Sequence, residues 1–287
     1  MKHVFSLVAA ACVLSVVSLY YAQVFSYDVP EAAAVALTLP VFTIVPFAEL
    51  TISAKAYAIF DIETGEVLLE HNSHQVYPIA SVTKLFTATA ILESFDPEST
   101  TTVTLGAIVG GGAAGKLAPK QIYTYRELLF PLILESSNDA AVVLDHATGG
   151  TLLLAMTEAA KKYGTTQTTF ADASGLSAKN VSTVADLAAF SRAVGDSQPF
   201  IFDMAALPQY IGTYTGWRNN NPVFDTGAYR GGKHGYTPEA GQTLVARFDE
   251  EFAAGKRTLG YIVLGSSDLR ADIAALRAFT HRSVEFK

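Results

Sequence analysis

Ser81 and Lys84, in the stretch Tyr77 to Lys84 reading Y-P-I-A-S-V-T-K, are residue types whose spacing can support covalent chemistry. Three residues apart at a helix start, a hydroxyl and an amine share one face, a few ångströms from each other. Serine attacks poorly at neutral pH unless a base within hydrogen-bond reach takes its proton. Lysine is such a base only when neutral, so its ordinary pKa of about 10.4 must fall by roughly three units, on the order of 4 kcal/mol. Burial or a second cation nearby has that effect. The pair therefore predicts companions, because an ordinary helix start with a Ser N-cap and an exposed Lys is spelled the same way.

The surroundings strengthen the reading. Leu85, Phe86, Ala88, Ala90, Ile91 and Leu92 predict a helix that buries one face and holds Ser81 at its first turn. Glu135-Ser136-Ser137-Asn138-Asp139 is a polar knot between two periodic helices, by itself an ordinary turn. Gly231-Gly232-Lys233-His234-Gly235-Tyr236-Thr237 combines glycines that let a backbone approach a ligand with one cation, by itself a tight strand entry. A Ser-x-x-Lys, a Ser-x-Asn and a Lys-x-Gly in that order arise by accident in well under about one chain in a hundred. Lys233 then supplies a charge to depress Lys84, Ser136 a hydroxyl for proton transfer, and Asn138 an amide to hold a peptide.

The elements that position these residues read as a mixed α/β (α+β) domain. Ala54 to Asp61 and Glu66 to Glu70 predict a hairpin turning at Glu63-Thr64-Gly65. Periodic helices follow at Tyr125 to Leu134, Ala140 to His146, Leu152 to Tyr163 and Ala185 to Val194. Thr243 to Phe248 and Thr258 to Gly265 are extended, and Asp272 to Phe279 closes with a helix. Strands at both ends with helices between imply a sheet whose neighbours are distant in sequence.

Composition excludes several classes. Half the residues are hydrophobic and the net charge is −7, which suits a large globular core and gives nucleic acid no basic stripe to bind. Cys12 is the single cysteine, so no intrachain disulfide forms. Gly110 to Leu117 nearly spells a phosphate loop, but Leu117 lacks the hydroxyl for magnesium and Pro119 opposes the helix. His71 and His74 lack a zinc signature, and Asp145 and His146, adjacent on one helix, point apart; all four read as structural. No cofactor or metal is expected.

Val4 to Ala22 is almost wholly apolar, and roughly 19 helical residues nearly span a hydrocarbon core. Lys2 and His3 precede it while Asp28 and Glu31 follow, which places the amino terminus in the cytoplasm and the rest outside. Tyr20 and Tyr21 stand where a cleavage site wants small residues. The expectation is an uncleaved single-pass membrane anchor over 1–22, a Pro-containing linker or stalk over 23–50, and a catalytic domain over 51–287.

At these residues the chain resembles the penicillin-recognising serine enzymes, and within them the D-alanyl-D-alanine carboxypeptidases, or low-molecular-mass penicillin-binding proteins. The likeness extends to Phe170 to Asp186, reading F-A-D-A-S-G-L-S-A-K-N-V-S-T-V-A-D, to Asn219 to Pro222, to Thr237 to Gly241, and to Gly265 to Asp272. It implies a β-lactamase/transpeptidase-like fold, an antiparallel sheet flanked by helices with a mainly helical subdomain inserted. It also implies a substrate, the peptidoglycan stem peptide ending in D-Ala-D-Ala, and β-lactams as covalent inhibitors. Ser81 would form the acyl-enzyme with Lys84 as base, and Ser136 would pass the proton to the leaving D-alanine. Asn138 and Lys233 would bind substrate, Gly235 would let the strand come close, and the N–H groups of Ser81 and Tyr236 would form the oxyanion hole. Arg270 would grip the substrate carboxylate.

His234 departs from that family's pattern, which places threonine or serine between the lysine and glycine to reach the substrate carboxylate. An imidazole N–H can donate the same bond, but the ring is larger and ordinarily titrates near neutral pH. Three rivals follow: a D,D-endopeptidase that cuts cross-links, a serine β-lactamase, and an inactive membrane-held wall-binding protein. Against the lactamase, Glu158 is the lone glutamate between the second and third motifs, and it is followed by Ala159-Ala160-Lys161-Lys162, unlike the Glu-x-x-Leu-Asn loop of the common class.

Overall fold

The computed structural model describes residues 42–44, 50–108 and 115–286, all within the unit Pro40–Lys287. The first described strand, β1 (Phe42–Ile44), pairs antiparallel with the last, β13 (Val284–Phe286). Phe42 packs on Phe286 with ring centroids 5.1 Å apart and edge-on to Phe252. Part of the expected linker therefore belongs to the folded domain. Three residues between Pro40 and Pro46 are too few to show a period, and their partner lies at the opposite end of the chain. The anchor expected over 1–22 lies outside the described residues, among which no single helix is long and apolar enough to cross a membrane.

Strands β2 (Ala56–Asp61) and β3 (Val67–His71) form the expected hairpin. Asp61 ends β2 and accepts bonds from the Thr64 N–H (2.6 Å) and hydroxyl (3.0 Å), while Gly65 adopts the φ of +79° that closes the turn. The hairpin joins β10 (Tyr229–Thr237), β11 (Gly241–Phe252) and β12 (Gly255–Ser266) in an antiparallel sheet of order β10-β11-β12-β2-β3. The first and last strands of this sheet in chain order, β2 and β12, are thus neighbours, and β10 is left at an edge. Side-chain alternation divides the sheet's two faces. Leu244, Ala246, Phe248, Tyr261 and Val263 cluster with Leu276 of the terminal helix, whereas Val245, Ile262, Ala58 and Phe60 cluster with the remaining helices.

Those helices are α1 (Thr83–Ser94), α2 (Tyr125–Leu134), α3 (Asn138–Ala147), α4 (Leu152–Lys162), α5 (Val184–Ser197) and α6 (Phe200–Ala205); α7 (Leu269–Ser283) covers the other face. Side-chain caps fix several starts: Thr124, Ser137, Thr183 and Asp268 each accept a hydrogen bond from the backbone N–H three residues on. The Ser137 cap is why α3 begins at Asn138, before the first apolar residue. Helix α1 differs from the expected one-faced helix, because every residue from Thr83 to Ile91 is buried. Its polar positions are satisfied internally, as Thr89 donates to the Leu85 carbonyl (2.8 Å) and Thr87 to that of Ala173 (2.7 Å). Short ribbons complete the domain: β4 (Tyr77–Pro78) with β7 (Val181–Ser182), β5 (Thr100–Thr102) with β6 (Ile122–Thr124), and β8 (Gln209–Ile211) with β9 (Gly216–Arg218).

Candidate active site

The residues before Ser81 are clamped from two sides. Tyr77 and Pro78 pair with β7, Ile79 N–H donates to the Asn180 carbonyl (3.0 Å), and the Thr243 hydroxyl of β11 donates to the Ile79 carbonyl (2.9 Å). Between these clamps Ala80 takes a φ of +48°, a left-handed conformation uncommon for a residue with a Cβ. A single turn of 3₁₀ helix, Ala80–Val82, then delivers Ser81 to the head of α1. Strand β10 crosses directly against it, so that a Cβ added to Gly235 would stand 2.5 Å from the Ser81 nitrogen.

Lys84, one turn further, is fully buried. Its Nζ lies 2.9 Å from Ser81 Oγ, 2.8 Å from Asn138 Oδ1 and 2.5 Å from the Ser174 carbonyl oxygen. Burial pushes this amine down to about 7, against the opposing pull of the Asp172 carboxylate. In its free-base form an amine has two N–H bonds and one lone pair. Asn138 Oδ1 and the Ser174 carbonyl are acceptors only, so they take the two N–H bonds and the lone pair is left for the Ser81 hydroxyl proton. That arrangement activates the oxygen for attack.

Lys233 of β10 is also buried, and its Nζ donates to the His234 carbonyl (2.7 Å). Burial first, and then the charge of Lys84, holds this amine well below its ordinary value. Lys233, expected from its charge to depress Lys84, is not what lowers it; burial leads for both amines. His234 is corrected in a related way. Its ring does not titrate near neutrality, because burial, then Lys233, then Lys84 push it down to about 2. The imidazole is neutral at physiological pH, with Nδ1 buried and unpartnered among the described residues.

Ser136 sits at the α2–α3 junction with a φ of +60°, two residues before the Asn138 that reaches Lys84. Tyr236 follows Gly235 on β10 and is 66% exposed. Arg270 is engaged elsewhere: at the first turn of α7 it pairs with Asp225 (2.7 Å) and donates to the Pro222 carbonyl. Its bonds go to that loop, and none reaches the Ser81–Lys84–Asn138 cluster. Glu158 stands on α4, exposed and paired with Lys161 (3.1 Å).

Sequence reasoning includes Phe170 to Asp186 in the family likeness but gives no role to Ser174, which completes the lysine's surroundings. Ser174 contributes a backbone carbonyl, a group no side-chain motif can reveal. Asp172 and Asn180 shape its loop, since Asn180 accepts from the N–H of Ala171 (2.7 Å) and donates to Thr83 Oγ1 of α1 (3.2 Å). The turn-forming run D-A-S-G within the Phe170 to Asp186 stretch was the available signal.

Exchanging Asn138 for aspartate alters this centre without changing its shape. A carboxylate 2.8 Å from Nζ would favour the ammonium, raising the pH at which Lys84 becomes a base. The N138D variant is expected to be acylated by penicillin more slowly at neutral pH and to recover part of its rate in alkali. A pH–rate profile superposable on the native one would contradict the assignment.

Comparison with known proteins shows the family to which this fold belongs. Residues 43–267 match the peptidase S11 family model, described as D-alanyl-D-alanine carboxypeptidase. A D-alanyl-D-alanine endopeptidase of Haemophilus influenzae is 30% identical over 231 residues, covering 75% of this chain and 76% of that protein. The D-alanyl-D-alanine carboxypeptidase DacD of Salmonella typhimurium is 30% identical over 232 residues, 75% of this chain and 58% of its own length. Among solved structures, a D-alanyl-D-alanine carboxypeptidase from Mycobacterium tuberculosis superposes with a TM-score of 0.74 at 25% identity, covering 85% of this chain and 97% of that one. Penicillin-binding protein D2 of Listeria monocytogenes, in its cefotaxime-bound form, gives 0.68 at 27% identity over 82% and 98%. With the serine–lysine pair in place and more than half its length matched, the chain belongs to the D-alanyl-D-alanine carboxypeptidase family of penicillin-recognising serine enzymes.

Proposed function

We propose that the protein is a serine-type D-alanyl-D-alanine carboxypeptidase working through an acyl-enzyme on Ser81. The observation that carries this is the buried Lys84 amine, 2.9 Å from the Ser81 hydroxyl with its other bonds assigned to acceptors. Lys84 takes the hydroxyl proton as Ser81 Oγ bonds to the carbonyl carbon between the two terminal D-alanines. Backbone N–H groups of Ser81 and Tyr236 receive the oxyanion. The C–N bond breaks as the proton taken by Lys84 is relayed through the Ser136 hydroxyl to the departing amine, and water later hydrolyses the Ser81 ester to release the shortened peptide. Asn138 and Lys233 hold substrate, and the neutral His234 ring offers an N–H to its terminal carboxylate. With Arg270 drawn to Asp225, His234 and Lys233 are the better candidates for that carboxylate.

A β-lactam enters the same chemistry, acylating Ser81 as its ring opens. The exposed, ion-paired Glu158 is poorly placed as a deacylating base, which favours a long-lived adduct over lactamase turnover. Endopeptidase action on cross-links is the second reading, favoured by the name of the Haemophilus relative. Incubation with a stem pentapeptide and with a cross-linked dimer, following released D-alanine and monomer separately, tests both. Release of D-alanine supports the first reading, release of monomer alone the second, and neither product alongside no penicillin label supports the inactive wall-binding protein.

We further propose that Val4 to Ala22 anchors the chain in the membrane with the domain on the outer side, as the flanking charges suggest. Release of the protein from membranes by alkaline carbonate would overturn this.

A further inference from the structure

We propose that Asp172 is a positioning residue for acyl transfer: it folds the 172–177 loop so that the Ser174 carbonyl is fixed against the Lys84 amine, and it sets a carboxylate charge near that amine. The proposal deepens the acyl-enzyme reading and rests on it. Asp172 Oδ1 accepts from the N–H groups of Ser174 (2.7 Å), Gly175 (2.6 Å) and Leu176 (3.3 Å) and from the Ser174 hydroxyl (2.8 Å), and Oδ2 accepts from the Ser177 N–H (2.7 Å). One carboxylate thus gathers four consecutive backbone N–H groups, which turns the Ser174 carbonyl the other way, to within 2.5 Å of Lys84 Nζ. The same fold drives Gly175, at a φ of +86°, under the serine turn; a Cβ there would lie 2.0 Å from the Ala80 carbonyl oxygen. Thr87 and Asn180 tie the loop to α1, so its position is referred to the helix that carries Lys84.

Charge makes this more than scaffolding. Burial alone would raise the Asp172 carboxyl, yet the bonds from Ser174, Ser177 and Gly175 hold it below its ordinary value, which favours its charged form. The titratable groups facing Lys84 are Lys233 and His234 from β10 and Asp172 from the loop, while Asn138 from α3 is neutral. Asp172 is the member of that set that favours the ammonium. Removing its charge therefore frees the Lys84 lone pair at lower pH, and the acid limb of the acylation profile moves toward acid. A merely structural aspartate would lower the plateau and leave the limb where it was.

The test is acylation of the full-length native, D172N and D172E proteins by a fluorescent penicillin from about pH 5 to about pH 9, with the labelled residue located by mass spectrometry. In D172N an amide oxygen still accepts bonds but carries no charge. The expected result is an acid limb displaced to lower pH by about half a unit or more, roughly threefold more of the plateau rate retained on that limb, at a reduced plateau. D172E keeps the charge on a longer arm, so its plateau falls and its limb stays near the native one. A D172N limb that coincides with the native one, or moves to higher pH, overturns the proposal. Should D172N not fold, a D172E limb displaced to acid overturns it equally. Failure of the native protein to be labelled on Ser81 would instead sink the acyl-enzyme reading itself.

Discussion

Replacing Lys84 with methionine is expected to slow acylation by penicillin about 10⁴-fold while Ser81 stays in place. Methionine fills similar volume in a fully buried site but offers no basic lone pair. The second amine does not substitute, because Lys233 is bound to the His234 carbonyl, and losing Lys84 removes one of the two causes that push Lys233 below its ordinary value. Lys233 would then favour the ammonium more than it does in the native protein, and so be less available as a base. The exchange also strands the Ser174 carbonyl, at about 1–3 kcal/mol for a buried acceptor left unpaired, so a fall in melting temperature is expected as well. Acylation kinetics read beside a thermal melt separate the two effects. A folded K84M protein acylated within about tenfold of the native rate would show that the base is some other group.

Gly235 carries the second large effect. A methyl group there would meet the Ser81 nitrogen at 2.5 Å, Thr243 Oγ1 at 2.8 Å and Ala80 Cβ at 2.9 Å. Two of these are held by backbone, and the Thr243 hydroxyl is committed to Ile79, so nothing flexible can yield. Strand β10 must therefore move off the serine turn, carrying Tyr236 and its N–H with it. G235A is expected to lose about 10²–10³-fold in acylation rate, the scale of a displaced oxyanion donor, and about 1–3 kcal/mol of stability through overpacking. Gly106, around which an added Cβ meets nothing within 4 Å, is the matched control; G106A should leave acylation unchanged. Native-like acylation by G235A would mean that β10 does not need to lie against Ser81 for catalysis.

Much of this centre was legible in the chain because its chemistry is carried by side chains in short, ordered motifs. Ser81 and Lys84 share a turn, and Asn138 follows a capping serine whose type marks a helix start. Strands β11 and β12 and helices α2 to α5 announced themselves by length and period, within a few residues at their ends. What escaped was carried by backbone or by pairings across the chain. The Ser174 carbonyl has no residue signature, and β1 finds its partner more than two hundred residues away. The ribbons β4–β7 and β8–β9 are two or three residues long, too short for any alternation to register. All-round burial of α1 could not be read either, since its threonines look polar until their hydroxyls are seen bonded to carbonyls. Arg270 has the right chemistry for a carboxylate, and nothing in its neighbours in sequence indicates that Asp225 occupies it.

The most direct measurement is the acylation rate of the full-length protein by a fluorescent penicillin as a function of pH, with the adduct mapped to its residue. If a buried, uncharged Lys84 accepts the Ser81 proton, the label lies on Ser81 and the rate rises with pH through a single midpoint near the value of about 7 set by burial. A rate flat across the neutral range, a midpoint near lysine's ordinary value of about 10.4, or a label on any residue other than Ser81 would contradict it.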